Sequence, residues 1–177
     1  MKKDIKPEKS ERRRQDALTT HRRWLRRAED IAGKPVSRGG SAHPHIKVGA
    51  VLVSADGQEI AAAANRFAHG VDRRRPERFR DGCKSLWMNC AEQLAIADAL
   101  KKGAVIENAT LYVTLEPCAV CAGLIAELRL KTVCVPVGSR RRYAKLKPKW
   151  KASIEIGLVK LAEAGVPLMA VDMGPRR

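Results

Sequence analysis

Two short segments constrain this chain more than any other part of it. Cys90-Ala91-Glu92 and Pro117-Cys118-Ala119-Val120-Cys121 each open a predicted helix, with one helix and one strand between them. A fold that joins the two helix starts gathers three thiolates at one point, with the Glu92 carboxylate just past the first. Three protein ligands leave zinc's fourth tetrahedral position open to water, the mark of a catalytic site and not a structural one. A helix start carries partial positive charge and free N–H groups, and both lower a thiol's pKa before metal arrives. Cys121 follows Cys118 by one turn and shares its direction. Zinc would then bridge two helix starts through Zn–S bonds of about 2.3 Å. Glu92, in the first turn, would lean toward the open position and serve as a proton shuttle, not a ligand. Three thiolates leave such a site anionic, and hydrogen bonds to the sulfurs from backbone or Arg would have to offset this.

The same residues admit other readings. Cys118-Ala119-Val120-Cys121, after a strand and opening a helix, also describes a thioredoxin-like redox pair. A structural four-cysteine zinc site would add Cys83 or Cys134 as the fourth ligand. Cys134 falls within an apolar strand and reads as a core residue.

The pattern around these segments alternates helices and strands. The first dozen or so residues lack an apolar period and read as a disordered basic tail, taken as 1–14. A single domain then runs over 15–177, beginning with a helix from about Gln15 that Gly33 and Pro35 end. Strands follow at Lys47–Val53 and Ile60–Asn65, joined by an Asp56-Gly57 hairpin turn. Residues 66–88 form a long charged connection containing Arg73-Arg74-Arg75, and loops of that length are usually functional. Asn89 is a good helix N-cap, and Gly103 closes the helix. A strand at Thr110–Leu115, a helix from Cys118 to about Arg129 and a strand at Thr132–Val137 come next. A helix from about Trp150 to Glu163 and a last strand at Val166–Val171 complete the order. The expected architecture is an α/β sandwich on a mixed five-stranded sheet, with the last two strands parallel because a helix joins them.

At 177 residues the chain suits one domain with a buried core, and a hydrophobic fraction of 45% argues against wholesale disorder. The net charge of +16 implies anionic partners: nucleotides, nucleic acid or a membrane surface. Residues 1–27 alone hold eleven Lys/Arg against four Asp/Glu, although a solvated tail explains such charge equally well. Aromatics make up only 4%, too few for a platform of stacked bases. No apolar run approaches the roughly 20 residues of a membrane span and no secretory signal is visible, so a cytoplasmic setting with reduced thiols is expected. His43-Pro44-His45 reads as a surface loop, not a second metal site. Arg73-Arg74-Arg75 and Arg140-Arg141-Arg142 are candidate phosphate contacts. Tyr143 and Trp150 are candidate base-stacking residues, with Trp150 better suited to packing its helix.

The motif set resembles the cytidine and deoxycytidylate deaminase superfamily over roughly residues 19–172. Lys47–Val53, Asn65–Val71, Pro76-Glu77-Arg78, Trp150–Ser153 and Glu163–Val166 resemble its deoxycytidylate branch in particular. The resemblance implies a three-layer fold with helices on both faces of the sheet and one zinc ion per chain. It implies Cys90, Cys118 and Cys121 as ligands and Glu92 as the proton shuttle. It also implies Asn65 as a contact to the sugar–phosphate part of a substrate, the backbone N–H of Ala91 as a contact to the base, and a homo-oligomer. The implied reaction converts dCMP to dUMP and ammonia. Two features depart from that branch. Cys90 stands where His is usual, and Thr114-Leu115-Glu116-Pro117-Cys118 is also familiar from tRNA-adenosine and guanine deaminases. Deamination of a base in single-stranded DNA or RNA, or of a free base or nucleoside, therefore stays open. So does a non-enzymatic, zinc-stabilised nucleic-acid-binding module.

Overall fold

A computed structural model describes residues 7–79, 84–143 and 146–175. The chain opens with helix α1 (Pro7–Gly33) and a hairpin of β1 (Gly49–Val53) and β2 (Glu59–Ala64). The long connection holds a small ladder of β3 (Arg66–Phe67) with β4 (Met88–Asn89) and a short helix α2 (Lys84–Trp87). Helix α3 (Ala91–Lys101), β5 (Thr110–Val113), α4 (Ala119–Glu127), β6 (Thr132–Pro136), α5 (Pro148–Glu163) and β7 (Leu168–Val171) follow. The main sheet has the order β2-β1-β5-β6-β7. β1 is antiparallel to both β2 and β5, whereas β5, β6 and β7 run parallel. This is the expected mixed five-stranded sheet with parallel final strands.

Strand periodicity sorts the core into two layers. Ala50 and Leu52 of β1, Leu111 and Val113 of β5, and Val133 and Val135 of β6 face one side. There they meet Ala91, Ala95, Ile96 and Ala99 of α3, Ala122 and Ile125 of α4, and Ile154 and Leu161 of α5. The alternate residues Val51, Val53, Tyr112 and Cys134 face the other side, against Leu25 and Ala28 of α1. The crossovers β5-α4-β6 and β6-α5-β7 share a side, as right-handed connections require. α1 presses so close to β1 that a Cβ on Gly49 would lie 1.9 Å from the Ala28 carbonyl oxygen.

Two local expectations change. α1 begins at Pro7, not near Gln15. Residues 10–17 are exposed, so they need no apolar period. Arg, Glu, Lys and Gln have good helix propensity, and Pro is tolerated in a first turn. Residues 1–6 of the expected tail lie outside the described residues. The cap of α3 is Cys90, not Asn89, because Asn89 pairs with Arg66 in the small ladder. Part of the N-terminal charge is also structural. Arg22 Nε donates to the Asp172 carbonyl, Arg26 to those of Met173 and Pro175, and Arg27 grips Glu59 at 2.9 Å.

Candidate active site

The second cysteine segment follows β5, the central strand of the main sheet, and the first follows β4 of the small ladder. From β5 the chain continues through Thr114 to Pro117, and Thr114 ties that exit to the start of β1. Its N–H donates to the Gly49 carbonyl at 3.0 Å, and its Oγ1 accepts from Gly49 N–H at 3.2 Å. Cys118 is then the N-cap of α4 and Cys90 the N-cap of α3, both with extended backbone. Gln93 Oε1 reaches back to accept the Cys90 N–H at 3.0 Å, which holds the α3 start.

The sulfurs of Cys90, Cys118 and Cys121 lie within 4.8 Å of one another, and they form the only such cluster of ligand-type side chains among the described residues. Zinc–sulfur bonds of about 2.3 Å in tetrahedral array put sulfurs about 3.8 Å apart, so the donor set fits zinc without rearranging the fold. Cys118 and Cys121 are buried and Cys90 is half-buried. Hydrogen bonds from the thiols of Cys121 and Cys90, and then from the backbone N–H groups of Cys121 and Val120, hold Cys118 far below the usual thiol range. The Cys121 thiol is pushed up, chiefly because it donates to Cys118. The backbone of the α4 start thus supplies hydrogen bonds that offset the site's negative charge.

Glu92 sits in the first turn of α3 and is only 4% exposed. Burial pushes its carboxyl up to about 8. It lines, with Cys90, Ala91 and Cys118, a cavity of about 400 Å³. That volume lies in the range of small-molecule sites. Val48, Leu115, Trp150 and Ile154 give this cavity apolar walls, so Trp150 both packs against the core and faces the cavity.

Asn65 directly follows β2 and also lines the cavity. Its Oδ1 accepts from Ser41 Oγ at 2.6 Å and Val48 N–H at 2.9 Å, while its Nδ2 donates to the Ile46 carbonyl at 2.9 Å. Asn65 therefore folds residues 41–48 over the edge of the sheet. That fold brings His43 and His45 onto the cavity wall, where the sequence placed only a surface loop. His43 Nδ1 accepts the N–H groups of His45 and Ile46, which makes the imidazole part of the loop's own turn.

Helix α5 braces the second cysteine segment from behind. Ser153 Oγ accepts the Ala119 N–H at 3.2 Å, and Lys160 Nζ donates to the Ala119 carbonyl at 3.2 Å. A Cβ on Gly157 would lie 2.5 Å from the Pro117 carbonyl oxygen. Sequence reading alone passes over this glycine. A Gly inside an otherwise sound helix is the available signal, since it commonly marks close backbone approach.

Other expected contacts lie elsewhere. Arg74 and Arg75 pair with Asp72 at 3.1 and 3.8 Å, Arg75 also meets Glu77, and none of Arg73, Arg74 or Arg75 lines the cavity. Arg140 bonds Glu116 at 3.2 Å, and Ser139 also donates to that carboxylate. Cys134 is buried on the opposite side of the sheet, away from the other three cysteines. Cys83 and the side chains of Arg142 and Tyr143 lie outside the described residues.

Comparison with known proteins matches this geometry to a family. The model of the cytidine and deoxycytidylate deaminase zinc-binding region covers residues 19–137. A probable deoxycytidylate deaminase of Caenorhabditis elegans is 33% identical over 122 residues, which is 66% of this chain and 56% of the worm protein. Deoxycytidylate deaminase of Enterobacteria phage T4 is 43% identical over 60 residues, 34% of this chain and 29% of the phage protein. The chain therefore matches about half or less of these relatives' lengths. Among solved structures, dCMP deaminase from the cyanophage S-TIM5 superposes with a TM-score of 0.61 at 22% identity, over 85% of this chain and 95% of that one. A diaminohydroxyphosphoribosylaminopyrimidine deaminase/reductase from Thermotoga maritima gives 0.60 at 28% identity, over 87% of this chain and 37% of that one. The chain belongs to the cytidine and deoxycytidylate deaminase family.

Proposed function

We propose that this protein is a zinc-dependent hydrolase that removes the exocyclic amine of a cytosine nucleotide, with dCMP giving dUMP and ammonia. The observation that carries the reading is a buried carboxylate, Glu92, beside three clustered thiols on the wall of a cavity of about 400 Å³. Zinc held by Cys90, Cys118 and Cys121 would supply the Lewis acidity that makes water a nucleophile near neutral pH. Glu92 takes one proton from the attacking water and gives it to the ring nitrogen N3 of cytosine. It then carries the water's second proton to the amine, so that the C4–N bond breaks and ammonia leaves. On this reading the Ala91 N–H, at the start of α3, would hold the base, and Asn65, on the cavity wall, would contact the sugar–phosphate part of the substrate.

The names of the curated relatives support dCMP as substrate. The apolar walls and modest volume favour a single nucleotide over a polymer, whose binding would need several stacking rings. The family resemblance also suggests self-association, and the exposed Val120 of α4 with Ile156 and Val159 of α5 offers an apolar face for it.

Ammonia release from a panel of bases, nucleosides, nucleotides and oligonucleotides tests the substrate. Release from dCMP is expected. Zinc-loaded protein that leaves dCMP, CMP, cytidine and cytosine untouched would defeat the reading, and strongly salt-sensitive turnover of oligonucleotides would replace it. Glu92→Gln should keep its zinc and lose turnover by more than about 100-fold. Retained turnover in that variant removes Glu92 from the proton path.

A further inference from the structure

We propose that the first half of α1 is a docking surface for double-stranded DNA, which Arg12, Arg13, Arg14 and Arg23 hold by its phosphate backbone. This face is independent of the deamination read above, because α1 lies across the sheet from α3 and α5, which line the cavity. Residues 10–27 hold seven arginines, no lysine and two acids, Glu11 and Asp16. Three of those arginines serve the fold. Arg27 pairs with Glu59, and Arg22 and Arg26 donate to the carbonyls of Asp172, Met173 and Pro175. Arg12, Arg13 and Arg14 are exposed, and among the described residues they have no hydrogen-bond or ion-pair partner. Arg23 is exposed as well, with its guanidinium laid 4.4 Å over the Trp24 ring.

Shape selects the partner. Residues 10–17 are all exposed, and α1 begins to pack on the sheet at Leu18. That stretch is a bare rod about 12 Å long and, with side chains, about 10–12 Å thick. Consecutive helical residues point about 100° apart, so Arg12, Arg13 and Arg14 spread over about 200° of the rod. A flat surface or a single strand meets one side of it and leaves one of these arginines unused. The major groove of B-DNA is about 12 Å wide and admits a helix between two phosphate walls, so it meets all three. Arg23 follows Arg12 by about three turns and shares its side roughly 16 Å further along, within reach of phosphates that flank the groove. Double-stranded RNA has a deep, narrow major groove that shuts such a rod out. A lipid surface needs an apolar face to bury, and α1 exposes no large apolar side chain among the described residues. A protein partner would want aromatic or apolar anchors, which the rod also lacks. Glu11 and Asp16 offset part of the rod's charge, so binding depends on arginines set against phosphates and not on net charge alone.

Fluorescence anisotropy of a labelled DNA duplex of roughly 20 base pairs, titrated with the full zinc-loaded chain, tests the surface. Micromolar binding is expected at about 50 mM salt, weakening with a log–log slope of about −3.6 for four phosphate contacts. Arg12→Ala/Arg13→Ala/Arg14→Ala should weaken binding at least tenfold and flatten the slope by about 2.7. Arg73→Ala/Arg74→Ala/Arg75→Ala removes the same charge elsewhere and should stay within twofold. Equal losses in the two triple variants overturn the proposal, since net charge alone would then explain binding. So does the absence of binding, an RNA duplex or single-stranded DNA bound as tightly, or anionic phospholipid vesicles that compete the duplex off. Alanine favours the helix. Should the first triple variant misfold all the same, each single Arg→Ala change at 12, 13 and 14 should flatten the slope by about 0.9, and three unchanged slopes overturn the proposal equally. Excess dCMP should leave the duplex bound; displacement would put the nucleic acid in the cavity and overturn the α1 surface. Duplex binding by protein that releases no ammonia from dCMP overturns deamination alone, and turnover of dCMP without duplex binding overturns this surface alone.

Discussion

The two sides of the sheet each bury a thiol beside a titratable partner, yet only one side is built for chemistry. On the α1 side, the Cys134 sulfur lies 3.8 Å from His21 Nδ1, which also faces the Tyr112 hydroxyl at 3.0 Å. Cys134 comes from the middle of β6, and burial pushes its thiol up to about 12. On the α3–α4 side the thiols sit at helix starts, where backbone N–H groups meet the sulfur of Cys118. The same group has its pKa raised in the closed core and lowered at the cavity wall. The difference lies first in the neighbouring Cys121 and Cys90 thiols that donate to Cys118 and then in the backbone donors of the α4 start, and burial alone does not separate the two.

The largest test of this contrast replaces one cysteine on each side. Cys118→Ser should lose zinc and reduce turnover by roughly a thousandfold or more, since losing a ligand undoes the open site. Cys134→Ala should keep one zinc per chain and keep turnover within a few-fold, at a cost of about 1–2 kcal/mol for the cavity it leaves. Metal content by mass spectrometry, with denaturant unfolding of both variants, reads the two effects separately. Zinc loss in Cys134→Ala would erase the distinction between the two sides.

A smaller effect is expected behind the cysteine pair. Gly157→Ala gains about 1 kcal/mol of helix propensity. The new methyl, however, meets the Pro117 carbonyl, which is backbone and cannot swing aside. Overpacking of that kind costs about 1–3 kcal/mol, so the clash wins. The strain falls on the residues just before Cys118. Cobalt(II) affinity, followed by its thiolate charge-transfer band, should drop about tenfold. Unchanged affinity would show that α5 supports the sheet without setting the sulfur positions.

How legible each part is depends on how local its cause is. Cys90, Glu92, Cys118 and Cys121 can be read because ligand spacing and helix starts are short-range features of the chain. The strands can be read because alternating burial leaves a two-residue period, as Val51 and Leu52 show by pointing to opposite layers. His43 and His45 cannot be read as cavity wall. Their position depends on Asn65, which bonds Ser41 and Val48 across the edge of the sheet. The first turns of α1 escape detection because an exposed helix needs propensity and no apolar stripe.

The smallest expected effect concerns acid stability on the α1 side. Burial lowers the His21 pKa below its ordinary value. Its Nδ1 faces two groups that donate in their neutral forms, the Tyr112 hydroxyl, whose pKa burial raises, and the Cys134 thiol. A protonated Nδ1 would lose both as donors. The unfolded chain therefore binds more protons than the folded one between the lowered value and the ordinary value of about 6.5. Stability on this account is full above about pH 6.5 and declines as the pH falls through that window. Denaturant unfolding of wild type and of His21→Asn, compared at matched pH, isolates this term from acid release of zinc, which both proteins share. The wild type should lose more stability on acidification than the variant. Parallel pH profiles would mean that the His21 environment tolerates either charge state, and that the α1 side is even less specialised than its buried thiol suggests.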